Sequence, residues 1–544
     1  MADSTNGATT TVATAIAAAL AAEGVDRIFG LPGGEVVPLL DACRRRGIAF
    51  VLCRHESDAG IMAAAYGRLT GRAGVVVTTL GPGASNLLLP IASSRLDREP
   101  LVAISAQVPD TWPETRIHQR LPLRQVFSPL TKATAALGPF DCARAVRHAL
   151  RTAAEEPAGP VYLTISADVA RGAAAGDGGL TDLPPRCGAG LDLGDPGEAA
   201  ATVRQRLAAA QRPVLLVGLG THPEDAPLIR RLVREWRLPV AVTPKAKGMV
   251  DETDPLFAGV VGGMAIDEVL TGGIRTADLV LGLGLDPTEI EGSWHDEVPM
   301  LWLLDAAWAT GVTPSRELVA VRHDRLLNAL LTSPPPRTWD DPMAAAREER
   351  RRVGDTIASA RPGAVAPLAI VRALASAFPP ETIVTTDVGS HKFLFWQFWP
   401  SRRPQTFLMS NGLSGMGYGL PAAIAAKLAR PERPVLAAVG DGGFSMNSQE
   451  LETAQRAGAP IVVAVLADRS LSMIRLAQRR RGIAPFGVDF DPIDSVLTAQ
   501  ACGVDGCRVG SEPELAAAAR DALASGRTSV IEIPVEVEDY VPII

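Results

Sequence analysis

Val435-Leu436-Ala437-Ala438-Val439-Gly440-Asp441-Gly442-Gly443 begins as an apolar run without alternation and closes on glycines around one carboxylate. A short run apolar on both faces reads as a strand covered on both sides, the habit of parallel sheets. Glycines at its end let the backbone come close to a phosphate. An amphipathic helix is expected from about Ser448, then a second apolar run, Ile461–Leu466, ending in Ala467-Asp468-Arg469-Ser470. Carboxylates at two successive strand ends converge on a hard cation, which suits a magnesium diphosphate. Taken alone, Gly440-Asp441-Gly442 could equally be a tight turn.

The same rhythm runs outward in both directions. Short β-branched runs at Ala73–Thr79, Leu101–Ser105, Val161–Ile165, Val214–Val217, Leu279–Leu283 and Ile383–Thr386 alternate with Ala/Leu-rich helical patterns. This is an α/β chain whose parallel sheets are covered by helices. Two stretches break the pattern: Arg171–Gly190, rich in Gly, Pro and Asp, and Ser333–Asp341, with Pro334-Pro335-Pro336. Such composition packs no core and reads as linker. Three domains follow, near 1–170, 191–332 and 355–544, and the first and third have the look of related folds.

Length and composition agree. At 544 residues and 57.0 kDa the chain is long enough for about three domains. Apolar residues make up 47% and charged ones 21%, so there is ample material for buried cores. A formal charge of -7 argues against the clustered positive footprint that nucleic acid needs. The six cysteines (Cys43, Cys53, Cys142, Cys187, Cys502, Cys507) show no CxxC spacing and read as reduced and structural. Met1-Ala2-Asp3-Ser4 supplies no basic lead-in, and Val12–Glu23 reads as an amphipathic helix and not a signal peptide. No apolar stretch approaches the ~20 residues of a membrane span. A cytoplasmic protein with no membrane or nucleic-acid partner is the expectation.

Three other strand ends carry chemistry. Thr386-Asp387-Val388-Gly389-Ser390-His391 opens toward a helix whose first amides suit phosphate oxygens. Phe50–Cys53 leads into Arg54-His55-Glu56 and a small-residue helix over Asp58–Leu69, and a Glu buried at a strand end needs a partner. Gly81-Pro82-Gly83-Ala84-Ser85-Asn86 reads as a loop after the strand Val75–Thr79. Farther along, Ser410–Pro421 is too rich in glycine for an ordinary helix start and leaves room for a ring to approach.

Gly440-Asp441-Gly442 with Asp468 standing 27 residues after the Asp resembles the signature of thiamin diphosphate (ThDP) enzymes, and the resemblance covers nearly the whole chain. It is closest to the acetolactate synthase group, in particular the FAD-independent catabolic type. The resemblance implies a pyrimidine-binding, a central Rossmann-like and a diphosphate-binding domain. It implies Mg2+ ligation by Asp441, Asp468 and the Ser470 carbonyl. Diphosphate and ring contacts would come from Gly389, Ser390, His391, Ser414, Gly440, Gly442, Gly443 and Met473. Met416 would be the wedge that bends the cofactor, Glu56 the acid that protonates N1' of the aminopyrimidine, and Gly83 and Asn86 the lining of the pyrimidine pocket. Because Glu56 and Asp441 fall in different domains, and relatives form the site between subunits, the resemblance implies a homodimer or homotetramer.

On the substrate side, His118-Gln119 and Phe127-Ser128-Pro129-Leu130-Thr131-Lys132 resemble the catabolic pattern, so His118 and Gln119 are catalytic candidates. A His there donates to a developing alkoxide or shuttles a proton. Gly282–Glu289, followed by Trp294, resembles the catabolic type's central segment and lacks the stretch by which biosynthetic relatives select a second 2-oxo acid. The resemblance therefore argues against FAD, and Val217-Gly218-Leu219-Gly220 is only a fragment of a dinucleotide fingerprint. Leu471-Ser472 stand where the catabolic type has Tyr and Asn, which leaves the substrate open. Arg475 and Arg479-Arg480-Arg481 read as an exposed basic helix end. The activity implied is decarboxylation of a 2-oxo acid with ligation of the resulting carbanion/enamine to an acceptor carbonyl. A decarboxylase releasing aldehyde, a specialised carboligase and a non-catalytic paralogue are the alternatives.

Overall fold

The computed structural model describes residues 10–109, 111–175, 194–263, 265–290, 292–305, 308, 317–358 and 364–544. Cys187 and the expected linker from 176 onward lie outside the described residues. The chain divides into two compact units, 1–189 and 190–544.

The first unit is built on one parallel sheet: β1 (Arg27–Leu31), β2 (Ala49–Leu52), β3 (Gly74–Thr78), β4 (Leu101–Gln107), β5 (Ala133–Ala136) and β6 (Pro160–Ser166), in the order β2-β1-β3-β4-β6-β5. β3 is buried along its whole length and β4 nearly so, as their unbroken apolar runs require. Helices Val12–Ala22 and Cys142–Ala154 supply part of the core that covers them. In such a sheet the order reverses between β1 and β3, and ligands sit beyond the carboxyl ends of the strands at that point.

The second unit holds two parallel sheets. The first contains β7 (Pro213–Val217), β8 (Val240–Val242), β9 (Phe257–Val260), β10 (Leu279–Leu283), β11 (Met300–Leu304) and β12 (Glu317–Ala320), ordered β12-β11-β10-β7-β8-β9. The other contains β13 (Ile383–Thr386), β14 (Phe407–Met409), β15 (Val435–Gly440), β16 (Val462–Ala467), β17 (Asp505–Arg508) and β18 (Ser529–Pro534), ordered β14-β13-β15-β16-β18-β17. That order repeats the one in the first unit strand for strand. One continuous apolar core runs through both sheets of the second unit, joining Leu215 and Val240 to Val384 and Leu436.

At the β7/β10 end the glycines serve the backbone. Gly218 N–H donates to Leu283 O at 2.8 Å and Gly220 N–H to Gly284 O at 2.7 Å, and a Cβ on Gly218 would lie 2.7 Å from Leu285 Cα. Buried Glu289 accepts from Thr243 Oγ1 (2.6 Å), Lys245 N (2.7 Å) and Leu219 N (3.0 Å), fastening the ends of β7, β8 and β10 together. The two fragments noted in the sequence thus lock onto each other.

Three local expectations are corrected. The helix after Gly440 does not wait for Ser448: one helix spans Asp441–Asn447 and a second Glu450–Arg456. The extended backbone of Gly440 and the Asp441 Oδ1 acceptor for Gly442 N (2.9 Å) start the turn inside the motif itself. Glu56 stands on the first turn of the helix Glu56–Thr70, capped by His55, not before it. Pro82–Ser85 is a single helical turn, with Pro at a position where its missing N–H costs nothing. Among the described residues no helix is long and apolar enough to cross a membrane.

Candidate active site

β15 lies between β13 and β16, so the glycine-bearing ends of β13 and β15 and the Asp468 end of β16 stand side by side. Asp441 opens the helix after β15 and Asp468 follows β16. Asp441 Oδ2 accepts the Arg469 N–H at 2.8 Å, and Asp468 Oδ1 accepts the Ser470 N–H at 3.1 Å. Burial raises the Asp441 carboxyl above the usual range; burial and then the neighbouring Asp441 charge push Asp468 up to about 7. Ser470 is buried, its hydroxyl donating to Val488 O at 3.1 Å. Among the described residues no cluster of three or more His, Cys, Asp or Glu forms a metal site. A cation here would rest on the two aspartates and be completed by carbonyl and ligand oxygens.

β13 feeds this place from one side. Gly389 has φ +151°, open only to glycine, and a Cβ there would sit 2.7 Å from His391 Cε1. Gly440 gives His391 a second flat wall, its own Cβ position being 3.0 Å from the same atom. The imidazole is buried, which lowers its pKa to about 3 and keeps it neutral, and Nε2 has no hydrogen-bond partner. Ser390 Oγ lies 2.8 Å from Ser472 Oγ, tying the helix starts after β13 and β16 together.

The Ser410–Pro421 segment closes the cup. Ser414 is exposed with φ +54°, its hydroxyl donating to Asn411 O (2.9 Å) and standing 3.3 Å from the Nζ of buried Lys392. Met416 is half-buried, and its Cε is 3.4 Å from where a Cβ on Gly442 would stand; Phe490 Cζ and Leu471 Cδ2 follow at 3.7 and 4.0 Å. Gly442 is therefore the floor of a small apolar ring. A Cβ on Gly443 would collide with the Asp387 carboxylate, 2.7 Å from its Cγ. Met473 instead packs half-buried against the main core.

In the first unit, Glu56 is 6% exposed and accepts from Asn86 Nδ2 at 2.9 Å. Gly83 lies against it: an added Cβ would be 3.1 Å from Glu56 Oε1 and 2.7 Å from Thr79 Cγ2. Glu56, Gly83 and Asn86 form one cluster. Gln119 presses on the same loop, its Cβ 3.0 Å from a Cβ position on Gly81, and it holds a left-handed φ of +55°. His118 is exposed beside it in a turn closed by Arg120 N–H to Ile117 O.

The sequence reading passed over Asp387, Asn447, Phe490 and Tyr540. Asp387 is 1% exposed and takes backbone N–H groups from two loops. Asn447 Nδ2 donates to Gly417 O at 2.5 Å. Buried Tyr540 lies within electrostatic reach of Asp468 and Asp441, and burial with those charges raises its phenol well above normal. Asp387 had a signal, a carboxylate at an apolar strand end; Phe490 and Tyr540 had none, because their place depends on a loop and a C-terminal turn returning to the site.

Comparison with known proteins fits this arrangement. Three family models match: thiamine pyrophosphate enzyme, N-terminal TPP binding domain, over 10–126; central domain, over 200–300; and C-terminal TPP binding domain, over 387–533. The chain is 31% identical to a catabolic acetolactate synthase of Raoultella terrigena, over 96% of this chain and 95% of that one. It is 30% identical to an acetolactate synthase of Bacillus subtilis, covering 96% and 92%. It is also 33% identical to a probable 2-ketoarginine decarboxylase of Pseudomonas aeruginosa, covering 94% and 91%.

Proposed function

The chain belongs to the thiamin diphosphate-dependent enzymes of the acetolactate synthase group, and from that membership we propose that it decarboxylates a 2-oxo acid and ligates the remaining fragment to an acceptor carbonyl. The observation that carries the reading is the junction of the two signature segments, where Asp441 accepts the amide of Arg469 and so sets the two aspartates beside each other. We retain the division into pyrimidine-binding (1–170), central (191–332) and diphosphate-binding (355–544) parts.

The residues present fit the cofactor and a magnesium ion. The buried Asp441 and half-buried Asp468 carboxylates, both with raised pKa values, are a donor set suited to a hard cation. Glycines 389 and 440 let the His391 ring lie flat against their backbones, where a Cβ would collide with it, and His391 Nε2 is buried there without a partner. Bound, ThDP supplies the electron sink by which a 2-oxo acid loses CO2. Asp441, Asp468 and the Ser470 carbonyl would hold Mg2+, with Gly389, Ser390 and neutral His391 toward the diphosphate. Met416, with its Cε over Gly442, would support the bend of the cofactor. Glu56, fixed by Asn86 and given room by Gly83, would be the group that exchanges a proton with N1' of the aminopyrimidine. Gln119 would orient the substrate carbonyl, and the exposed His118 would supply a hydrogen-bond donor on the substrate side. A homo-oligomer, at least a dimer, and a cytoplasmic location complete the proposal.

A second reading, decarboxylation with release of an aldehyde, is favoured by the similarity to the probable 2-ketoarginine decarboxylase. Product analysis after incubation with pyruvate, ThDP and Mg2+ separates the two. Acetolactate supports ligation, whereas acetaldehyde as the sole product replaces it with the second reading.

A further inference from the structure

A buried carboxylate that the proposed chemistry does not use stands at the end of β13. Asp387 accepts the N–H of Val388 at 2.6 Å, and its two oxygens lie 2.9 and 3.0 Å from the N–H of Gly417. The amides of Tyr418 and Gly419 also act on it. Its own N–H donates to Ala438 O on β15 at 3.2 Å, so the clamp is anchored in the sheet. The turn is gripped from two more directions, by Asn447 Nδ2 on Gly417 O (2.5 Å) and by Thr385 Oγ1 on Gly419 O (2.7 Å). Gly417 takes φ +89°, and Gly443 is bare where the Asp387 carboxylate passes. Met416 is the next residue before this turn, with its Cε over Gly442.

We propose that Asp387 is a positioning residue that fixes Met416 over Gly442 by gathering the Gly417–Gly419 amides. It acts through the turn and touches no reacting atom. The role deepens the ThDP reading and rests on it, since Met416 has its meaning as the support for the bent cofactor. A carboxylate is suited to the task because one rigid fork with two acceptor oxygens satisfies several converging N–H groups that burial would otherwise leave unpaired.

Two readouts test this on the full-length protein. In the apoprotein, hydrogen–deuterium exchange of Gly417–Gly419 should rise at least about tenfold in Asp387→Ala, since the acceptor that protects those amides is gone. In protein loaded with ThDP and Mg2+, exchange of the cofactor's C2 proton should slow by ~10²-fold, the size that a misplacement of about 1 Å carries. Cofactor affinity should change by less than about tenfold, because Asp441 and Asp468 are untouched. Asp387→Asn keeps one acceptor oxygen and should fall between, and it carries the same two readouts should the alanine variant not fold. Wild-type C2 exchange in the variants would overturn the proposal, as would loss of C2 exchange only in step with cofactor affinity and melting temperature. Wild-type protein that retains no ThDP would instead defeat the functional reading, while unchanged protection of Gly417–Gly419 in Asp387→Ala would defeat the clamp by itself.

Discussion

Asp468 makes the cost of a cation site visible at one residue. Burial and the Asp441 charge hold its carboxyl at about 7 when no cation is present. The folded apoprotein therefore binds this proton more tightly than the unfolded chain does. The resulting stability is full below the ordinary carboxylate pKa and is lost as pH rises through about 7. Asp468→Asn should raise the melting temperature of the apoprotein at pH 8, with a gain that shrinks toward pH 4. With ThDP and Mg2+ the order should reverse, because the cation prefers the carboxylate. Melting curves across pH with and without Mg2+ check both signs; an apoprotein indifferent to the change at pH 8 would remove the electrostatic argument. His118 makes the opposite case. It is exposed, so His118→Ala should leave melting unchanged and lower turnover by ~10²-fold, the usual loss for one transition-state donor. Normal turnover in that variant would take His118 out of the chemistry.

At the scale of elements, the strand ends do the work and their glycines decide how close the loops come. Gly389→Ala should weaken ThDP binding well beyond its effect on melting. Its φ of +151° costs an alanine about 1–3 kcal/mol, and the new methyl pushes on the His391 ring. A titration of ThDP followed by protein fluorescence reads this directly, and unchanged affinity would mean that the Gly389–His391 corner does not face the diphosphate. Interior strands β3, β4, β10, β13 and β15 were legible in the sequence because they are short β-branched or apolar runs buried on both faces, whereas the equally interior β1, β8 and β11 were not singled out. Edge strands β5, β12 and β17 were not, since Ala133–Ala136, Glu317–Ala320 and Asp505–Arg508 are partly exposed and carry no such pattern. The helix start at Asp441 was misjudged for a related reason: glycines after a strand look like a loop until the capping geometry of Gly440 is known. Asp441 and Asp468 stood out in the sequence by the 27 residues between them, and Glu56 by the Arg54-His55-Glu56 run before a small-residue helix, whereas the clamp at Asp387 depends on two loops meeting.

Across the second unit, one buried pair couples the middle sheet to the helix Ser390–Phe398. Lys247 Nζ donates to Glu252 Oε2 (2.6 Å), Trp396 O (2.8 Å) and Trp399 O (3.1 Å), so all three of its protons are placed, two of them at that helix's carboxyl end. Lys247→Met leaves the Glu252 carboxylate buried and unpaired and should destabilise the protein by about 3–5 kcal/mol, and Lys247→Met/Glu252→Gln should recover part of the loss. Chemical denaturation of the three proteins checks this; a single variant as stable as wild type would make the pair incidental. The central claim about the molecule is that a 2-oxo acid loses CO2 here with the help of ThDP, a cation held by Asp441 and Asp468, and the proton held by Glu56. The most direct measurement is CO2 release from a panel of 2-oxo acids, with ThDP and Mg2+ supplied or withheld, for wild type and Glu56→Gln. The account predicts that at least one acid is decarboxylated only when both are supplied, and that Glu56→Gln slows it at least ~10²-fold, the lower range of a positioned acid–base group. Release that persists without ThDP or at the wild-type rate in Glu56→Gln, or no release from any acid of the panel, would contradict it.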